Sequence, residues 1–152
     1  MKHLLLVWAS QTGNTRRLAE SAAQGAAEFA EQVELRMRPA LQTGLDDLLW
    51  ADALLLATPE NFGYMSGALK DFLDRTYYPA QGKTDALPYA LLISAGNDGS
   101  GAVRAIERIA LGYNWSRAAE PLIALGEPDQ TALARSREVG QTLAAGLALG
   151  IF

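Results

Sequence analysis

Ser10-Gln11-Thr12-Gly13-Asn14-Thr15 sets consecutive hydroxyl, amide and glycine residues between an apolar run and a helix-forming stretch. Such a segment suits a phosphate dianion. The glycine lets the backbone fold inward, the first amides of the following helix have no internal acceptor, and the Ser and Thr hydroxyls donate further bonds. A plainer reading has Thr12 and Asn14 merely capping the helix. The unbroken polar run exceeds what capping uses. The segment is neither G-x-x-x-x-G-K-[ST] nor G-x-G-x-x-G, which disfavours nucleoside triphosphates and tight dinucleotide binding in those modes.

Two further segments have matching character. Thr58-Pro59-Glu60-Asn61-Phe62-Gly63-Tyr64-Met65-Ser66-Gly67 places aromatics on either side of a glycine. Phe62, Tyr64 and Met65 offer flat apolar contact to a planar heteroaromatic ring, and the Gly63 peptide offers polar groups to its edge. Phe62 and Met65 also read as core residues that hold the loop shut. Glu60 is expected to be exposed, either orienting a substrate or serving as a plain loop carboxylate. Ser94-Ala95-Gly96-Asn97-Asp98-Gly99-Ser100-Gly101 is rich in glycine, so its N–H groups can approach a carbonyl-bearing ring closely. A flexible Asn-Asp turn is the competing account.

These loops need a frame that brings them to one edge. Leu4 to Ala9, Ala53 to Ala57, Pro88 to Ser94 and Leu122 to Leu125 are continuous apolar runs, the pattern of strands buried on both faces. Val33 to Arg38 alternates apolar and charged residues, as an edge strand does, and Pro39 ends it. Between the strands, helical spacing runs from Thr15 to about Glu31, Gly67 to about Thr76, Ala102 to about Leu111 and Thr131 to about Leu147, with a short turn over Leu45 to Trp50. Thr58-Pro59 is expected to break the third strand. The order of elements predicts an α/β three-layer sandwich around a five-stranded, doubly wound parallel sheet of order 2-1-3-4-5, in which ligands collect at the carboxyl ends of strands. Residues 1–152 read as a single domain.

Composition narrows the chemistry. The chain has 17 acidic and 13 basic residues, intermixed, for a net charge of -4, which argues against nucleic acid and anionic membrane as partners. It has no cysteine and one histidine, so disulfides, thiolate metal sites, cysteine nucleophiles and zinc are disfavoured, and no metal site is expected. His3 falls at the start of the first strand, away from the loops, and is not expected to be catalytic. Lys70, Asp71, Asp74 and Arg75 read as solvated helix pairs. No apolar stretch approaches a membrane span, and a cytoplasmic location is the default expectation. The apolar tail from Leu143 to Phe152 is expected to be covered by its own chain or by a neighbouring subunit.

S-Q-T-G-N-T resembles the flavodoxin phosphate loop [ST]-x-T-G-x-T, matching at Ser10, Thr12, Gly13 and Thr15. T-P-E-N-F-G-Y-M-S-G-A-L-K-D-F-L-D-R is similar to the second flavin loop and following helix of flavodoxin-like NAD(P)H-dependent FMN and quinone reductases. The resemblance spans nearly the whole chain. It implies FMN held without a covalent bond, with Ser10, Gln11, Thr12, Gly13, Asn14 and Thr15 at the phosphate. Pro59, Glu60, Asn61, Phe62 and Gly63 would border the ring, with the Gly63 backbone near N5, and Ser94, Gly96, Asn97 and Gly99 would approach its pyrimidine end and the ribityl chain. Glu60 stands where relatives often have Tyr or Arg. The implied activity is NAD(P)H-dependent reduction of a quinone, flavin or similar acceptor, with NADPH or NADH as a transient co-substrate and no catalytic acid–base side chain. The alternatives are a flavodoxin-type electron carrier without an NAD(P)H site, served by a redox protein, and a flavin-binding protein of regulatory or structural use. A homodimer or homotetramer is expected, since a site open on one face is often walled by a second subunit.

Overall fold

A computed structural model describes residues 1–152. The strands are β1 (Lys2–Trp8), β2 (Val33–Pro39), β3 (Ala53–Asn61), β4 (Tyr64–Met65), β5 (Pro88–Ala95), β6 (Ser116–Arg117) and β7 (Leu122–Leu125). The helices are α1 (Asn14–Ala26), α2 (Leu45–Trp50), α3 (Gly67–Ala80), α4 (Ser100–Tyr113) and α5 (Gln130–Ala148). The parallel sheet runs β2-β1-β3-β5, and the outer edge of β5 carries β6 and then β7. The expected order therefore stands, with the fifth position shared by two short segments. Pro121, which has no N–H for the ladder, lies in the interruption between them.

Why the inner strands read as unbroken apolar runs is visible in their packing. Leu4 and Leu6 pack toward α1 and α5, whereas Leu5 and Val7 pack toward α2, α3 and α4. The same alternation divides Leu55 from Leu54 and Leu56, and Leu92 from Leu91 and Ile93. Each side of the sheet thus has its own core. Among the longer strands, β2 and β7 turn alternate residues to solvent, as edge strands must.

On the α1/α5 side the helices approach closely because small residues face each other. A side chain at Gly25 or Gly140 would collide with the opposing backbone at Arg137 or Ala22, and the Ser136 hydroxyl donates to the Leu18 carbonyl at 2.6 Å. The C-terminal tail folds back so that the Phe152 ring lies against Gly146, while Leu149 and Ile151 stay exposed.

Some boundaries depart from the sequence reading. β3 does not break at Thr58-Pro59 but continues to Asn61. Main-chain groups alternate sides along a strand, and Ala57 uses its carbonyl on Ala9 at the end of β1. The N–H that Pro59 lacks therefore points past the end of β1, where no partner waits, while Pro59 keeps register with Ser94 of β5. α3 runs past Thr76 through Pro79, since Tyr77 packs edge-on against Tyr113 and Ala80 is fully buried. α1 stops at Ala26 and tightens into a 3₁₀ turn over Ala27–Phe29.

Candidate functional site

The loops after β1, β3 and β5 meet at the carboxyl edge of the sheet, on either side of the point where strand order reverses. In the first, α1 starts on Gly13, held at φ +101°, which has no side chain to cap with, and neither Thr12 nor Asn14 takes a first-turn N–H. The capping reading of Thr12 and Asn14 therefore fails. Thr12 is exposed, and Asn14 Nδ2 donates to the Gly126 carbonyl at 3.5 Å. Ser10 Oγ accepts from the N–H groups of Gly13 (3.2 Å) and Arg16 (3.4 Å), which leaves its own O–H free to donate. The N–H groups of Gln11, Thr12, Asn14 and Thr15 donate to no acceptor in the protein. A helix start with free donors and no carboxylate beside it attracts an oxyanion.

Thr15 is a different case from its neighbours. It is buried, and its hydroxyl shares a 2.6 Å hydrogen bond with Ser94 Oγ, tying the first loop to the third.

In the second loop β3 and β4 form a hairpin with Glu60 opposite Met65 and Asn61 opposite Tyr64. Phe62 (φ 51°) and Gly63 (φ 76°) make its two-residue turn, the pairing of left-handed residues that the twist of a tight hairpin requires. For Phe62 that backbone costs about 1–2 kcal/mol, and its side chain stands wholly in solvent. Met65 is core, at 2% exposure, so the core reading holds for Met65 and not for Phe62. Thr58 Oγ1 accepts from the Ser66 N–H at 2.9 Å and anchors the hairpin's return.

Glu60 is not the exposed carboxylate expected. It is half-buried and turned onto the start of α4, where it accepts from the N–H groups of Gly99 (3.0 Å), Gly101 (2.9 Å) and Ala102 (3.1 Å). Gly101 also lies directly under the Gly63 carbonyl, with no room for a side chain between them. Gly99 is buried at φ +87°, while Gly96, Asn97 and Asp98 form the exposed tip of the third loop.

Two helix starts thus lie at this edge, and they differ in charge. α4 already holds a carboxylate; α1 is open. A turn that the sequence reading passed over, Gly126-Glu127-Pro128, joins the same edge through Asn14 and through Arg17, which donates to the Pro128 carbonyl at 3.4 Å. Its signal was a glycine directly after the Leu122–Leu125 run.

No acid–base constellation accompanies the loops. His3 stacks on Trp50 at 4.2 Å and contacts the Trp50 carbonyl through Nδ1 at 3.0 Å, at the opposite end of β1. Lys70–Asp74 (2.8 Å) and Arg75–Asp71 (2.7 Å) are i,i+4 pairs on α3. The Lys70 ammonium is pushed up chiefly by its hydrogen bond to Asp74, against the opposing effect of desolvation. No group of His, Cys, Asp and Glu could hold a metal ion, and no helix is long and apolar enough to cross a membrane. The larger surface grooves run away from the phosphate-sized opening at α1, one of about 700 Å³ between α3 and α4 that reaches Tyr64 and one of about 590 Å³ between β7 and α5.

A parallel sheet of this order, with an open helix start after β1 and a tight hairpin after β3, defines a flavodoxin-like protein. The likeness extends to solved structures: a flavodoxin from the domain Archaea (TM-score 0.85, 21% identity, 95% of this chain and 98% of that one) and a WrbA-like flavodoxin from Agrobacterium tumefaciens (TM-score 0.80, 20% identity, 98% and 99%). The chain belongs to the NADPH-dependent FMN reductase family, whose model matches residues 1–122. A flavodoxin of Aquifex aeolicus (strain VF5) is 33% identical over 101 residues, 66% of this chain and 54% of that protein. An NAD(P)H dehydrogenase (quinone) of Syntrophus aciditrophicus (strain SB) is 33% identical over 97 residues, 48% of this chain and 47% of that protein. The chain spans about half the length of the curated relatives it matches.

Proposed function

We propose that this chain binds one FMN at the carboxyl edge of the sheet and acts as an NAD(P)H-dependent oxidoreductase on a quinone, flavin or similar small acceptor. The observation that carries the proposal is the contrast between the two helix starts. α1 offers the free N–H groups of Gln11, Thr12, Asn14 and Thr15 with the Ser10 and Thr12 hydroxyls, and α4 is already closed by Glu60. The donors fit a phosphate monoester without a cationic side chain, so Ser10, Gln11, Thr12, Gly13 and Asn14 hold the phosphate, with Thr15 bracing them from behind.

Pro59, Asn61, Phe62 and Gly63 border the ring, Glu60 ties them to α4, and Ser94, Gly96, Asn97 and Gly99 approach the ribityl and pyrimidine side. The Gly63 carbonyl is committed against Gly101, which leaves the Gly63 N–H as the main-chain group for flavin N5. When bound, FMN supplies the hydride and electron chemistry. The chain's own part is to fix the ring, keep one face open to a nicotinamide and then to an acceptor, and stabilise added charge with N–H donors. A second subunit walling that face, as homodimer or homotetramer, belongs to the proposal.

The match to the Aquifex flavodoxin favours a second reading, an electron carrier served by a redox protein. Anaerobic addition of NADPH or NADH to the FMN-loaded protein separates the two. Prompt bleaching of the flavin absorbance is the expected result. A spectrum that ignores the nucleotide and bleaches only with dithionite assigns the carrier, and apoprotein that leaves FMN fluorescence unquenched removes both readings.

A further inference from the structure

We propose that Glu60 is a positioning residue, a latch that bolts the β3–β4 hairpin onto the first turn of α4 and so presents the Phe62–Gly63 peptide in one fixed pose. Its role toward the flavin rests on the FMN reading above; its role in the hairpin does not. β3 and β4 pair through only two residue pairs, Glu60 with Met65 and Asn61 with Tyr64, and a ladder that short does not hold itself. The turn is also strained at Phe62, whose exposed ring gains nothing from packing in return. Something outside the hairpin must select this conformation.

The Glu60 carboxylate does so with three N–H donors at 2.9–3.1 Å, two of them from α4 itself. Because the donors are main-chain groups of a helix start, they cannot swing away with the hairpin, and the bonds to an ionised acceptor are the strong kind. Gly101 completes the seat, since its missing side chain lets the Gly63 carbonyl settle onto α4. The latch therefore fixes both ends of the turn: the strand entering it through Glu60 and the peptide leaving it through Gly63. A carboxylate that merely capped α4 would stabilise the helix and leave the hairpin indifferent.

Amide hydrogen exchange on the apoprotein separates these roles. In Glu60→Ala, the N–H groups of Gly101 and Ala102 and those of the hairpin's closing pair, Asn61 and Tyr64, are all expected to exchange at least about tenfold faster, the scale of one lost charge-assisted bond, with β1 and α1 unchanged. Glu60→Gln, which keeps the volume and one acceptor oxygen, falls between Glu60→Ala and the native chain. Gly101→Ala, which keeps the carboxylate but wedges the Gly63 carbonyl and crowds Glu60 Oε2, accelerates the hairpin most. With FMN bound, Glu60→Ala and Glu60→Gln shift the flavin midpoint potential, which simple helix capping does not. Faster exchange confined to α4, or a midpoint potential unmoved in both Glu60 variants, overturns the latch. If the native chain leaves FMN fluorescence unquenched, the flavin reading fails while the exchange pattern still decides the hairpin.

Discussion

Single hydrogen bonds decide how the edge is assembled. Thr15 and Ser94 are both buried and satisfy each other, so Thr15→Val, nearly isosteric, strands the Ser94 hydroxyl; urea unfolding is expected to show a loss of about 1–3 kcal/mol. Ser10→Ala removes the acceptor shared by Gly13 and Arg16 and loosens the first loop, so on the proposed reading FMN titration is expected to show about tenfold weaker binding at little cost in stability. Tyr113 gives a pH signature. Burial pushes its phenol up to about 12, with Thr76 opposing, against about 10 in an unfolded chain. The neutral phenol is the folded form, so its contribution is complete below pH ~10 and is lost between there and about 12, as the unfolded chain ionises first. Stability measured across that range should fall, and Tyr113→Phe should flatten the fall. At this scale the sequence showed the donor set of Ser10 to Thr15, because an unbroken polar run has few other uses. It could not show that Thr15 turns inward or that Glu60 turns onto α4. Glu60's partners are main-chain groups 39 to 42 residues away, which no side-chain pattern encodes.

Elements were legible in proportion to their length and to how evenly they are buried. The inner strands declared themselves because both faces meet a core, which removes the alternation that marks a half-wet strand. β4 and β6 have two residues each, too few to carry any period, and both were missed. Pro59 misled for a local reason: proline is excluded from a ladder only where its N–H is needed, and β1 ends before that point. The packing of α1 on α5 was likewise hidden, although the glycines that permit it are plain in the sequence. Two glycine substitutions with opposite outcomes test that packing. Gly140→Ala drives a methyl into the Ala22 backbone and is expected to destabilise by about 1–3 kcal/mol. Gly67→Ala, in the first turn of α3 with open space around it, is expected to stabilise by about 0.4–1 kcal/mol, through reduced freedom of the unfolded chain. Chemical denaturation of the pair against the native chain reads both signs.

At the scale of the molecule, the site belongs to both cores at once. The first loop leads into α1 on one side of the sheet, the hairpin and third loop lead into α3 and α4 on the other, and the Thr15–Ser94 bond joins them across the strand ends. A ligand gripped by all three loops therefore opposes opening of either side, and its binding energy adds to global stability rather than to local order alone. By mass action, FMN at 100 times its dissociation constant adds about 2.7 kcal/mol. For a chain of this length that raises Tm by roughly 5–10 °C, rising further with the logarithm of FMN concentration. Riboflavin, which has the ring and ribityl chain but no phosphate, leaves the free N–H groups at α1 unused and should give a much smaller shift. The comparison weighs the proposed phosphate grip of the first loop against the proposed ring contacts in one melting experiment. Equal shifts from the two flavins would place the grip at the hairpin and third loop, and would remove the α1 helix start from the centre of the proposal.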